Sequence, residues 1–223
     1  TDAFQEVDTY GLTIPIAKHS YLVRSAAELP GVMRDAFMIA SSGRPGPVVI
    51  DVPKDVQLQE TEISEQGTPQ AEQVNFMPDE RLIIEAAQMI NRSHRPVIYA
   101  GGGIISSGAF KELAELAAKS SIPVAVSLMG LSSFDHASPL YLGLLGMHGN
   151  ASTNFIVDEA DLIICVGARF GDRTTGKLSH FATRSSIIHI DIDNSELDKI
   201  RKSRLPITAD AKTALSMLLP HIE

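Results

Sequence analysis

A short apolar run that ends in three consecutive glycines is the feature that most constrains how this chain can fold. Between Arg95 and Ser107 the sequence reads R-P-V-I-Y-A-G-G-G-I-I-S-S. Pro96 through Ala100 have buried-strand character, Gly101, Gly102 and Gly103 break the run, and Ser107 opens a helical pattern. Open α/β domains hold nucleotides at such junctions. Glycines let the backbone approach a phosphate closely, and the N–H groups at a helix start favour an anion. The spaced G-x-G-x-x-G of ordinary dinucleotide folds is absent here. The weight of the signal therefore comes from later strand ends that repeat the arrangement.

The bulk numbers exclude several partners. With 44% hydrophobic and 21% charged residues, the 223-residue chain reads as globular, long enough for one large domain or two small ones. A net charge of -8 and a pI near 5.3 argue against nucleic acid or an anionic membrane as the main partner. No apolar stretch is long enough to span a bilayer and no signal peptide leads the chain, so the expected location is cytoplasmic. The single cysteine, Cys165, lies inside an apolar run and reads as a core thiol in a reducing compartment rather than a nucleophile. The chain begins at Thr1 without methionine, which suggests a processed or truncated piece.

Taken in order, residues 1–57 resemble the end of a domain. Thr13 to Lys18 can make a strand, Ala26 to Ala40 carry an apolar face at helical spacing, and Pro47 to Val52 form a short buried strand. One helix and two strands cannot cover both faces of a parallel sheet. Residues 58–77 are polar, with Gly67 and Pro69, and read as a linker. From Pro78 to Glu223 the pattern becomes regular. A helix around Leu82 to Ile90 precedes the opening strand, and a second helix carries Phe110, Leu113, Leu116 and Ala117. Strands are predicted at Ile122 to Val126, Asp161 to Val166, Ser186 to Ile190 and Leu205 to Thr208, with a closing helix through Ala211 to Leu219. Alternating strands and helices predict an α/β fold with a doubly wound, mostly parallel sheet of about six strands.

Ligands bind such sheets outside the carboxyl ends of the strands. Those ends hold Gly101, Gly102 and Gly103; Ser127, Leu128 and Met129; Gly167, Ala168 and Arg169; and Asp191 with Ile192. The long connection before the next helix adds Gly146, Met147, His148 and Gly149. Taken singly, each has a plainer reading. The glycines are turn residues, Arg169 is a surface cation, and Asp191 caps a helix starting at Asn194. Taken together, glycine turns, a cation and an acid on one edge suit an extended dinucleotide, NAD or FAD. An Arg can hold a pyrophosphate bidentately and an Asp can accept from ribose hydroxyls. His148 has no second His or Cys at ligand spacing, so it reads as a cofactor contact or loop-ordering residue and no metal site is expected.

At this point the residues match a family. L-L-G-M-H-G, G-A-R-F-x-D-R-T-T-G and H-I-D-I-D, with T-D-A-F-Q-E and G-R-P-G-P-V-V-I-D-V-P-K-D upstream, resemble the large catalytic subunit of acetohydroxyacid synthase (acetolactate synthase). The resemblance runs the whole length. It implies that residues 1–57 are the last part of a pyrimidine-binding domain and residues 78–223 a central FAD-binding domain. The implied enzyme depends on thiamine diphosphate and Mg2+ and joins two 2-oxo acids with loss of CO2. FAD has no redox step in that reaction, so its implied role is structural. The implied assembly is a homodimer or homotetramer with a small regulatory subunit.

The resemblance carries over to particular residues. Phe4 and Gln5 match a pair that reaches the thiamine site across the dimer, Lys54 a lysine near the substrate entrance, and Arg44 an arginine that touches FAD. Asp172 and Arg173 match the end of an R-F-D-D-R motif, and Asp210 and Ala211 complete the implied cofactor contacts. The first aspartate of that motif is Gly171 here, and the usual M-G-L-G is Met129-Gly130-Leu131-Ser132. The family's activating glutamate lies upstream of T-D-A-F-Q-E, and its G-D-G…N motif for diphosphate and magnesium has no match. These residues are therefore expected to catalyse nothing alone. A flavin-dependent pyruvate oxidase and a non-catalytic nucleotide-binding module are the alternative readings.

Overall fold

The computed structural model describes residues 4, 6–62 and 76–223. The chain divides into two compact units, residues 1–74 and 75–223.

The first unit contains α1 (Thr9–Thr13), β1 (His19–Leu22), α2 (Leu29–Ser41), β2 (Val48–Asp51) and α3 (Lys54–Gln57). The strand expected over 13–18 is displaced. α1 ends at Thr13, and β1 starts only at His19. Local chemistry explains the shift. The Asp8 carboxylate accepts from the Gly11 N–H at 2.8 Å and starts the helix, while the Thr13 hydroxyl bonds back to the Thr9 carbonyl at 2.8 Å. Pro15 then has no N–H to offer a ladder. β1 and β2 pair in parallel, His19 opposite Val48. Lys18 Nζ donates to the Ile39 and Ser42 carbonyls at 2.5 Å each, satisfying the open end of α2.

The second unit contains α4 (Glu80–Arg92), β3 (Pro96–Ala100), α5 (Gly102–Ser107), α6 (Phe110–Ser120), β4 (Val124–Val126), β5 (Tyr141–Leu144), α7 (Ala151–Glu159), β6 (Leu162–Val166), α8 (Asp172–Thr175), β7 (Ser186–Asp191), β8 (Leu205–Thr208) and α9 (Ala211–Leu218). Two expectations need correction. The helix after the glycines begins at Gly102, and Ser107 closes it before Gly108 turns left-handed at φ +66°. The supposed long connection before α7 contains β5. Gly143 at φ +92° and a register shift between Val124 and Ala125 interrupt the strand pattern that would have announced it.

The sheet runs β5-β4-β3-β6-β7-β8, and every pairing is parallel. From β3 the chain winds outward through β4 and β5, then crosses back to β6 and winds the other way. The order therefore reverses between β3 and β6, and a crevice opens there at the carboxyl ends. One face buries Ile98, Val124, Ile164 and Ile188 beneath Ile83 of α4, Leu113 of α6 and Leu215 of α9. The other buries Val97, Tyr99, Ile163 and Cys165 against Val157 of α7.

Candidate functional site at the switch point

The two turns flanking the crevice are built into each other. Gly101 caps α5 and its N–H donates to the Val166 carbonyl at 3.0 Å; the Gly103 N–H donates to the Gly167 carbonyl at 3.0 Å. A Cβ on Gly101 would lie 2.2 Å from that same carbonyl oxygen, and one on Gly103 would lie 2.5 Å from the Gly167 Cα. Here the glycines first serve backbone-on-backbone packing. The Gly103 amide is already engaged, which departs from the expected free helix start. Gly167 sits at φ +57°, where a side chain is strained.

On the β4 side, Ser127 donates its N–H to the Ala100 carbonyl at 2.9 Å. Leu128 and Met129 follow, 69% and 73% exposed. Next comes the turn after β5. Gly146 at φ +105° is gripped at both backbone atoms by the Asn154 amide, with its N–H to Oδ1 at 2.9 Å and its carbonyl to Nδ2 at 3.0 Å. The Met147 N–H donates to the Arg173 carbonyl at 2.8 Å, so the turns carrying 145–149 and 169–175 are tied together. Met147 is 62% exposed, His148 is exposed, and the Gly149 N–H closes the turn on the Gly146 carbonyl at 2.9 Å. Three exposed apolar side chains thus rim an edge made of glycine turns. A flat, uncharged ring would gain from covering them.

Charge is supplied by two arginines and a pair of acids. Arg169 follows buried Ala168; its side chain is 60% exposed and lies 3.9 Å from the Glu196 carboxylate. Arg173, 71% exposed, lies 4.0 Å from Asp172, which stands in the first turn of α8. The Asp191 carboxylate accepts from the Asp193 N–H at 2.9 Å, with half-buried Ile192 between them. The cap of the short turn at Asn194 is Asp193 and not Asp191, since Asp193 accepts from the Ser195 N–H at 2.9 Å. Asp210 caps α9 through the Thr213 N–H at 2.9 Å, and Ala211 is buried behind it. Phe4, Arg44 and Lys54 belong to the first unit and are exposed there; Gln5 lies outside the described residues.

Cys165 is fully buried, and burial pushes its thiol well above the usual range, as a core thiol requires. Among the described residues no cluster of His, Cys, Asp and Glu could hold a metal ion, and no helix is long and apolar enough to cross a membrane. A cavity of about 530 Å3 opens at the opposite, amino ends of β3 and β4, beside Asn91, His94 and Arg95. It has no glycine turns, and Arg95 is paired there with Glu159 at 3.3 Å, so the switch-point edge is the stronger candidate.

A doubly wound parallel sheet with glycine turns, cations and acids gathered at its switch point defines an open α/β domain of the class whose ligand sites lie at that edge. Residues 83–218 match the family described as thiamine pyrophosphate enzyme, central domain, and the chain belongs to that family. It is 52% identical over its whole length to the acetolactate synthase isozyme 1 large subunit of Escherichia coli K12, covering 39% of that protein. It is 44% identical to the isozyme 2 large subunit of the same organism, covering 40% of it, and 46% identical to the acetolactate synthase of Arthrospira platensis over 98% of this chain and 39% of that one. The chain thus spans about two fifths of the curated relatives it matches.

Proposed function

We propose that this chain is the FAD-holding region of an acetolactate synthase large subunit. The whole enzyme would condense pyruvate with a second 2-oxo acid, pyruvate or 2-oxobutyrate, with loss of CO2. The observation that carries the reading is the convergence of glycine turns, two exposed arginines and an apolar rim at the β3–β6 switch point. The donor set fits a flavin dinucleotide. Arg169 and Arg173 suit a diphosphate, Asp191 suits ribose hydroxyls, and Leu128, Met129 and Met147 suit one face of an isoalloxazine.

The contribution of these residues is to bind, orient and exclude water. FAD, when bound, supplies rigidity to the site rather than electrons to the carboligation. Thiamine diphosphate and magnesium are assigned to parts of the enzyme beyond these residues. Phe4, Gln5 and Lys54 would line the reaction space, with Arg44 on the FAD side and residues 1–57 contributing to the pyrimidine-binding domain. The catalytic subunit would assemble as a dimer or tetramer and take a small regulatory partner, as the "large subunit" of the relatives' names suggests.

The test is the visible absorption spectrum of the purified chain, with the extracted cofactor identified by mass. FAD at near-stoichiometric occupancy is expected, and no acetolactate from pyruvate, thiamine diphosphate and magnesium. Loss of flavin through purification with no rebinding, or extraction of a nicotinamide dinucleotide instead, overturns the assignment.

A further inference from the structure

Three polar side chains lie in one row across the face of the sheet that packs against α7. Tyr99 on β3, Cys165 on β6 and His189 on β7 are register partners, so they point to the same side at the same level. The next row down that face is Val97, Ile163 and Ile187, wholly apolar. All three polar residues are at most 1% exposed. Polar groups buried so deeply cost stability unless they are paired. Their partners share one address. Cys165 Sγ donates to the Ala168 carbonyl at 3.3 Å, and His189 Nε2 reaches the same oxygen at 2.9 Å. The Tyr99 hydroxyl lies 3.1 Å from Thr174 Oγ1 and 3.5 Å from the carbonyl of the next residue, Arg169.

The side chain of Phe170 completes the arrangement. It is 3% exposed and sits above the row, its ring 6.0 Å from Tyr99 and 5.3 Å, edge-on, from His189. Ala168 is thus held by its carbonyl and Phe170 by its ring. Arg169 between them has its own carbonyl near Tyr99 and its guanidinium turned to solvent. Because a carbonyl can only accept, His189 must carry its proton on Nε2. Its Nδ1 is buried with no protein partner, so a second proton there would have no acceptor.

We propose that Tyr99, Cys165 and His189 are positioning residues that fix the Arg169 turn and so aim its guanidinium at the diphosphate of the cofactor. The idea rests on the FAD reading for the ligand, but its geometry belongs to this chain alone. Side chains that lock the backbone behind a charged contact spare it the entropy of finding its pose.

The experiment compares FAD dissociation constants, by flavin fluorescence, for the wild-type chain, His189→Leu, His189→Gln and Tyr99→Phe, each with and without Arg169→Ala. His189→Leu should weaken binding about tenfold. His189→Gln, which still offers an N–H, should recover most of the loss, and Tyr99→Phe should cost about threefold. In the Arg169→Ala background each change should matter less than about twofold, because the effect passes through that residue. Equal losses in both backgrounds, or none in either, overturn the proposal. Should the wild-type chain take up no FAD, the function assigned above fails while the positioning role is still read directly. Amide exchange at Arg169 and Phe170 should then quicken in His189→Leu with Ile163 unchanged. Unaltered exchange at both overturns it.

Discussion

Gly103 and Gly167 meet backbone to backbone, with the Gly103 N–H on the Gly167 carbonyl at 3.0 Å and room for no Cβ between them. This contact sews the end of β3 to the end of β6. Gly103→Ala ought to favour α5 by helix propensity alone, yet the added methyl would lie 2.5 Å from a backbone atom that cannot swing away. Overpacking of this kind costs about 1–3 kcal/mol. A lowered urea midpoint is the expected result, and an unchanged one would mean that the turns part easily.

Gly171 is the contrasting case. Its φ is −76° and nothing lies within 4 Å of a Cβ built there. Gly171→Asp should therefore change stability by less than about 1 kcal/mol, as surface substitutions generally do. Chemical denaturation measures it. A large loss would show that the turn before α8 needs a conformation closed to other residues.

Arg169 offers a charge with little competition, since Glu196 is 3.9 Å away and also holds Lys199 at 3.2 Å. Arg169→Ala should weaken FAD binding by about tenfold to a hundredfold, the range for one charge-assisted hydrogen bond of roughly 1.5–3 kcal/mol. Titration of the apo chain checks it. An unaltered dissociation constant would place the diphosphate elsewhere.

His189 makes acid a probe of the buried row. Burial holds its pKa below the ordinary 6.5, against the opposing pull of the Ala168 carbonyl, Asp191, Asp198 and Glu196. Below pH 6.5 the unfolded chain takes up a proton that the folded chain refuses, so stability falls as the pH falls through that window. Above it the contribution is complete. In His189→Gln this component is absent. The gap between the two proteins' urea midpoints should therefore shift in the variant's favour on going from pH 7 to pH 5. A constant gap would show that His189 is protonated without penalty.

The parts of the fold that could be read from local pattern were those with a strong period or an unbroken apolar run. β3, β6 and β7 are buried on both faces and announce themselves as apolar runs, while β8, at the sheet edge, alternates buried Leu205 and Ile207 with half-buried Pro206 and Thr208. β5 does not, because Gly143 and the adjacent bulge break its run, and α1 displaces a strand through a cap and a proline that apolar counting ignores. The glycine-marked strand ends were legible for the same local reason. The Tyr99–Cys165–His189 row was not. Each member stands inside a separate apolar segment, and only the pairing register brings them side by side.

The first unit should be the less stable of the two. Its two strands form a sheet whose outer edges pair with no other strand among the described residues. Its buried apolar side chains among the described residues are Val23, Ala36 and Val56, whereas Leu12, Ile14, Ile16 and Phe37 remain 58–75% exposed. The second unit buries both faces of a six-stranded sheet. Apolar burial supplies most of the drive to fold, so opening should be easier where so little is buried. Native-state hydrogen exchange reads the two units separately. Amides of Val48–Asp51 should exchange well before those of Leu162–Val166, and added FAD should protect mainly the latter. Equal protection in a chain shown to be monomeric would mean that the small sheet is held by something stronger than its own core.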